Sequence, residues 1–548
     1  MFRSLFEPEV RNAVTQRAAA FLERGDVGTL AALEGVVASR DFVGKDRNDI
    51  DAWLDVADAL RHVRHFSNDA NRGIWEISDR ICTALIESSA CGKEQKAIGA
   101  LFRAKIADRS GQYDAVEVRL RQALEMNPRD ASAHIWGSRF LGKRAGRRHE
   151  SVLLAKQGLA VAEETCDNVL IMRALLQCAR VTRGSEQIAY GREALAHARE
   201  LFDDQTLECE GRIVYARALR GSEQFVAGLD AVRRARELGD RTLECEGLIV
   251  CALPMRGPDQ IIYGTQALRI ATEICNQTFE CEASILCAQA ERGPEQLTYA
   301  RNGLRLAVEL GHERLECQGL VVLARALRGF EQIRLLQRAL PLARKLDDPT
   351  LECDVNMSYA RGTRGEEALI YGRDALRIAR ENELPKLECD ALIVCARAAR
   401  GSEKFTYASN AVEVAVTIGD EMRECKALIQ CARATGYAES EKYALDALLK
   451  ARKVGEMRLE CSASICCVRA TRGAKRIEYG RNAVRTARET RDRRLICEGL
   501  IAYAQATPYP ERIEPAKEAL ELARLLDDKR LSDQAREIGG LRRIVYGP

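Results

Sequence analysis

An all-α array of helical repeats is the fold class this sequence predicts, on three observations. Cysteine recurs at positions 209, 245, 281, 317, 353, 389, 425, 461 and 497, every step being 36 residues. The wording around those cysteines repeats as well: LECEGRIVYARALRGSEQ from 207, LECEGLIVCALPMRGPDQ from 243, LECDALIVCARAARGSEK from 387. Small residues keep the same beat, with one ladder through Ala216, Ala252, Ala288, Ala324, Ala360, Ala396 and Ala432 and another from Ala235 to Ala523. Self-similarity at a period of about 20–50 residues marks a solenoid, in which each unit buries its apolar face only against its neighbours.

Each unit reads as two helices. The first spans about 207–220, where Ile213, Ala216 and Leu219 follow helical spacing. Gly221 is expected to stop it in the left-handed conformation, as are Gly257, Gly293, Gly329, Gly365, Gly401 and Gly473 in their units. Ser185, Ser222 and Ser402 are placed to cap the second helix, and Pro258 and Pro294 take that start in two other units. Glu186, Glu223 and Glu403 follow at the positive end of the helix dipole. The second helix ends near Leu238-Gly239-Asp240 or Leu346-Asp347-Asp348, and no strand pattern competes.

Between the alanine ladders runs a third, Gly228, Gly264, Ala300, Gly372, Ala408, Ala444 and Gly480, broken only at Leu336. Ala216, Gly228 and Ala235 stand 12 and then 7 apart, where paired helices would cross closely. A bulky residue precedes the last by three: Val232, Leu268, Leu304, Leu340, Leu376, Val412, Leu448. This arrangement resembles the tetratricopeptide repeat, in a 36-residue variant whose additional residues fall between units. Upstream, Gly111-Gln112-Tyr113-Asp114-Ala115 followed by Ala123-Leu124-Glu125-Met126-Asn127-Pro128 resembles a second helix of that family, and Trp53 and Trp136 mark first-helix starts. The resemblance implies a right-handed α-solenoid or superhelix whose first helices line a concave surface. It divides the chain into an N-terminal helical segment 1–48, irregular repeats 49–165, ten regular repeats 166–526 and a capping helix in 527–548.

Composition bounds the function. Lys plus Arg is 84 against 81 for Asp plus Glu, a net +3, which argues against a general coat for polyanions. No stretch approaches the roughly 18 apolar residues of a membrane span, and MFRSLFEPEVRNAV carries no secretory h-region, so a cytoplasmic, soluble protein is expected. No phosphate-binding loop, serine-hydrolase elbow, zinc-protease motif or dinucleotide fingerprint occurs, so no catalytic residue, cofactor or metal is expected and the chain is read as a non-enzyme.

The cysteines invite a redox or metal reading, which geometry opposes. Equivalent positions of stacked repeats lie about 8–10 Å apart, whereas disulfides need α-carbons within about 7 Å. A second set, Cys251, Cys287, Cys395, Cys431 and Cys467, follows ladder cysteines by six residues, off their face. Tyr215, Leu323 and Tyr359 replace it elsewhere, so the site wants a modest apolar filler, and buried reduced thiols are expected. His62 and His65 share a helix face but lack a second ligand pair. Tyr190, Tyr263, Tyr299, Tyr371, Tyr407, Tyr443 and Tyr479 read as inter-repeat packing, a stacking platform being the alternative.

The informative signal is arginine. Arg220, Arg256, Arg292, Arg328, Arg364, Arg400 and Arg472 precede the glycine stops, and Arg217, Arg325, Arg361, Arg397 and Arg469 come three residues earlier. Residues i and i+3 share a helix face, so the ligand-binding candidates are Arg217, Arg220, Arg325, Arg328, Arg361, Arg364, Arg397, Arg400, Arg469 and Arg472 on the first helices. Ile213, Ile249, Ile285, Val321, Ile393 and Ile429 would add an apolar middle to the same groove, with Glu210, Glu246, Glu282 and Asp390 on its acidic edge. The competing reading pairs the arginines with the ladder Glu208, Glu244, Glu280, Glu316, Glu352 and Glu388, where exposed pairs contribute little. The first functional expectation is therefore an adaptor that holds an acidic or amphipathic peptide or helical segment of a partner protein. Single-stranded RNA binding and a self-assembling structural solenoid are the alternatives.

Overall fold

The computed structural model describes Leu54, Ala57, Asp58 and residues 68–540, except 90, 145, 201–204, 256, 292 and 491. Residues 1–48, Trp53, His62, His65, Arg256 and Arg292 lie outside the described residues. Among those described, every regular element is helical, from Asn68–Glu87 to Lys529–Gly539. The order is that of an α-solenoid of helix pairs: Pro349–Gly362 packs on Gly365–Glu381, which packs on Pro385–Ala398, which packs on Gly401–Thr417. Pro349–Gly362 and Pro385–Ala398, first helices of successive units, also touch. The described residues fall into two compact units, one within 1–290 and 302–316, the other within 291–301 and 317–548.

The small-residue ladders are where the helices meet. Ala216, Ala252, Ala235, Ala271 and Ala379 are fully buried, and Val232, Leu376 and Leu448 are nearly so. The ladder cysteines explain why this site prefers a thiol to a methyl group. Cys209, Cys245, Cys281, Cys317, Cys353, Cys389, Cys425, Cys461 and Cys497 each direct their sulfur to the backbone carbonyl of the residue 22 further on, at 3.2–3.7 Å. That carbonyl lies in the second helix of the same unit. The S–H is a weak donor to an oxygen already inside a helical ladder, and it ties the two helices at one fixed height.

Left-handed residues form most of the described turns. Between helices, Gly221, Gly365 and Gly401 take φ of 63°, 63° and 58°, but they do not end the first helix. That helix stops at Ala218 or Ala398, and the glycine opens the next after an extended Arg220, Arg364 or Arg400. Ser222 and Ser402 therefore stand inside the helix, and these starts have no side-chain cap at all. Capping serves the other turn. Asp240, Asp348 and Asp492 accept from the two backbone amides at the start of the following first helix. Asp240 and Asp348 follow the left-handed residue that closes the second helix, Gly239 at φ 70° and Asp347 at φ 47°. Such a cap contributes about 1 kcal/mol.

The first unit also contains a contact between distant repeats. The Tyr113 hydroxyl donates to the Leu310 carbonyl at 3.1 Å, 197 residues along the chain. Arg144 lies over the Tyr113 ring, 3.5 Å from its centroid, and reaches toward the Gly311 carbonyl.

Candidate functional site

The arginine positions are set by the turn geometry. Arg217, Arg361 and Arg397 sit in the last turn of first helices. Arg220, Arg364 and Arg400 do not continue that helical face, contrary to the i, i+3 expectation. Their backbones are extended, with φ of −135°, −138° and −124°, because the chain must leave one helix before glycine turns it into the next. Each pair therefore presents one guanidinium from a helix end and one from a linker.

The apolar middle expected for this face is absent. Ile213, Ile249, Ile285, Val321 and Ile429 are 0–3% exposed and Ile393 is 8%. A first helix is flanked by second helices and by its neighbouring first helices, which leaves open only a strip seven residues apart, as from Glu210 to Arg217. The isoleucines fall beside that strip and enter the core.

The glutamate ladder is occupied elsewhere. Glu244 binds Arg236 and Arg241 at 2.7 Å, Glu352 binds Arg344 at 3.2 Å, Glu388 binds Arg380 at 2.7 Å and Glu460 binds Arg452 at 3.2 Å. Those partners belong to the preceding second helix or to the cap region. Glu208 takes Arg212 at 2.8 Å, in a surface depression where Arg233 meets Asp230 and Arg234 meets Glu237, so the charges there cancel.

What the stripe arginines meet differs along the chain. Arg217 stands 3.6 Å from both Glu246 and Glu282, in an acidic row whose Glu210 carboxyl is pushed up by burial and by Glu246. Arg325 reaches Asp354 at 3.3 Å and the Ser358 hydroxyl at 3.1 Å. Arg361, Arg364, Arg397 and Arg400, in contrast, have no hydrogen-bond or ion-pair partner among the described residues. All four line one cleft of about 370 Å³, together with Ala360, Thr363, Gly365, Val394 and Ala399.

Like charges are crowded in this cleft. Arg361 is exposed at the surface, and the protein around it lowers its guanidinium, with Arg325 and then Arg397 repelling it and Asp354 and Asp390 partly offsetting them. Arg397, also exposed, is lowered by the protein crowded around it and then by Arg433. Lys404 is lowered by burial, Arg433 and Arg469, so the basic row continues through the units that follow. Arg328 and Arg472 lie in linkers equivalent to Arg364, and Arg328 and Arg469 are exposed. Sequence reasoning missed two features here, the aspartates at the caps and the partnering of Arg325 by Asp354. Asp240, Asp348, Asp420, Asp492 and Asp528 do recur at multiples of 36, which would have flagged the caps.

Tyr371 stacks at 4.4 Å on Tyr359 of the first helix in its own unit, whereas Tyr263 meets Phe225 of the preceding unit edge-on at 5.5 Å. Among the cysteines, all but Cys166 and Cys275 are buried. No group of three or more potential metal ligands occurs among the described residues, and no described helix is long and apolar enough to cross a membrane.

No family model matches the chain, and no curated protein matches it. Solved structures do. A circular tandem repeat protein of novel repeat topology shares 17% identity over 98% of this chain and 95% of its own, at a TM-score of 0.16. Yeast Tom70 shares 15% over 83% and 98%, at 0.38. A signal-transduction ATPase with numerous domains and a tetratricopeptide repeat sensor, from Pyrococcus horikoshii, shares 14% over 89% of each chain, at 0.37. The superpositions are loose, and the repeat architecture stands on the chain's own helices and ladders.

Proposed function

We propose that this chain is a non-enzymatic adaptor that holds an acidic segment of a partner protein on the open first-helix face of its second unit. The observation that carries the reading is the cleft of Arg361, Arg364, Arg397 and Arg400, four guanidinium groups without a paired carboxylate. A folded chain whose other arginines are widely paired gains nothing by assembling like charges at one place. A carboxylate-bearing ligand would relieve the repulsion and receive the forked donors that arginine offers. The glutamate ladder, which could have neutralised these side chains, is bound by Arg236, Arg344, Arg380 and Arg452 instead. The partnered charges at Arg217 and Arg325 then mark where the stripe is structural.

The test is fluorescence anisotropy with a short labelled glutamate-rich peptide. Replacing Arg361 and Arg397 with Glu is expected to abolish binding, since each lost charge-assisted hydrogen bond is worth roughly 1.5–3 kcal/mol. Arg377→Glu, on the outer face where Arg377 pairs with Glu381 at 2.8 Å, is expected to leave binding unchanged. Equal binding by wild type and the Arg361→Glu, Arg397→Glu variant would place the ligand on another surface.

A further inference from the structure

The arginine cleft has more positive charge than a single carboxylate needs, and it has backbone donors as well. The second helices that border it, Gly365–Glu381 and Gly401–Thr417, begin after Arg364 and Arg400 with no side-chain cap. Their first-turn amides therefore lack the side-chain acceptor that Asp348 and Asp420 supply at the neighbouring turns. Uncapped helix starts attract anions through their N–H groups and the helix dipole. Of the first-turn acids, Glu403 is drawn away by the Arg373 guanidinium and by the Tyr407 hydroxyl at 3.3 Å, while Glu366 and Glu367 stay exposed at the start of Gly365–Glu381. The volume of about 370 Å³ lies within the range of small-ligand pockets, roughly 300–1,000 Å³.

We propose that this cleft receives a phosphorylated side chain on the partner's acidic segment; the proposal rests on the adaptor reading and names the chemical group it selects. A phosphate monoester carries about −1.5 to −2 charge at neutral pH and three acceptor oxygens. Two guanidinium forks can engage it while a third and fourth balance its charge, which one carboxylate with two oxygens cannot use. The surroundings favour an isolated dianion over a nucleic-acid strand. Asp354 and Asp390 stand seven residues before Arg361 and Arg397 on the same helices, held by Arg325 at 3.3 Å and Arg423 at 2.7 Å, so a continuous phosphate backbone along the row would meet fixed carboxylates.

Isothermal titration calorimetry decides this with three synthetic peptides identical except for serine, glutamate or phosphoserine at one central position among glutamates. The phosphoserine peptide is expected to bind on the order of tenfold tighter than the glutamate peptide, a preference of about 1.4 kcal/mol. Inorganic phosphate should displace it, and Arg364→Gln and Arg400→Gln should each erase the preference while circular dichroism stays unchanged. Should either variant misfold, phosphate competition on the unaltered chain separates the same two outcomes. Equal affinity for glutamate and phosphoserine would overturn the phosphate site and leave the adaptor reading standing. Failure of all three peptides to bind would overturn both. Tighter binding of a single-stranded RNA oligonucleotide, competing with the phosphopeptide, would assign the cleft to nucleic acid and overturn the proposal.

Discussion

Gly228 faces Cys251 so closely that a β-carbon on the glycine would stand 2.9 Å from the cysteine sulfur. The same relation holds at 2.9 Å between Gly264 and Cys287 and between Gly372 and Cys395. Each glycine lies on a second helix and each cysteine on the first helix of the next unit, 23 residues on. The third small-residue ladder and the second cysteine set are thus two sides of one crossing.

Gly228→Ala should therefore be destabilising despite its better helix propensity. Overpacking costs about 1–3 kcal/mol, against a propensity gain of about 1 kcal/mol. The chain itself carries Ala408 and Ala444 one and two repeats beyond Gly372, so a net loss of about 1 kcal/mol is expected. Adding Cys251→Ala should recover it. Urea denaturation of the two single variants and the double variant checks this, and strictly additive effects would show that the two side chains do not meet.

Glycine substitutions should separate strain from contact. Gly419 has φ of 66° and nothing within 4 Å of where a β-carbon would stand, whereas Gly311 has φ of 57° and the Tyr113 hydroxyl 2.3 Å from that position. Gly419→Ala should lose about 1–2 kcal/mol from the left-handed backbone alone. Gly311→Ala should lose more, and proteolysis near residues 113 and 144 should accelerate only in that variant.

The thiols should be silent at neutral pH. Burial pushes Cys245, Cys281, Cys353, Cys389 and Cys425 up to about 12 from an ordinary value of 9.0. Titration with a thiol reagent at pH 7 should detect Cys166 and Cys275 quickly and the rest only in denaturant. A folded pKa above the unfolded one means that stability is fully present below pH 9 and is lost as pH rises toward 12, because only the unfolded chain ionises in that window. Replacing Cys353 and Cys389 with Ala should make the denaturation midpoint fall less steeply between pH 9 and 11.

His312 should confer the opposite dependence. It occupies the cap position held elsewhere by aspartate, and its Nδ1 accepts from the Leu315 amide at 3.4 Å. Burial, then Lys143 and Arg314, hold it down at about 4 against 6.5. The neutral ring is favoured in the fold, so its contribution is intact above pH 6.5 and lost as pH falls from 6.5 toward 4. His312→Asp keeps a cap acceptor beside those cations. It should raise the melting temperature at pH 7 and shrink the drop between pH 7 and pH 5. A variant that melts lower at pH 7 would show that the imidazole's packing outweighs its cap.

The repeat is legible in the sequence because its signals are single residues at fixed phase: the buried Cys353 and Ala379 leave few alternatives at their positions. Capping is not, because Ser222 and Ser402 look like caps by composition. A turn that needs positive φ at Gly221 and Gly401 moves the helix start ahead of the serine. The arginine stripe is visible as residues but not as a site. Period alone cannot distinguish Arg217, held by Glu246 and Glu282, from Arg361, which no described residue pairs. That difference arises from the row one helix over, where Glu282 and Asp390 occur but the choice of partner is geometric. The isoleucines read as groove residues because a helical wheel does not show how many neighbours a helix has.

Arg361→Gln gives the most direct measurement, with melting temperature and peptide affinity read on the same sample. If Arg361 is held at a cost for binding, removing one of several mutually repelling charges should leave the melting temperature equal or higher. The affinity for the glutamate-rich peptide should fall about tenfold or more, the loss of one charge-assisted hydrogen bond. A lower melting temperature with unchanged affinity would show that Arg361 is a structural residue, and would contradict the assignment of this cleft to a ligand.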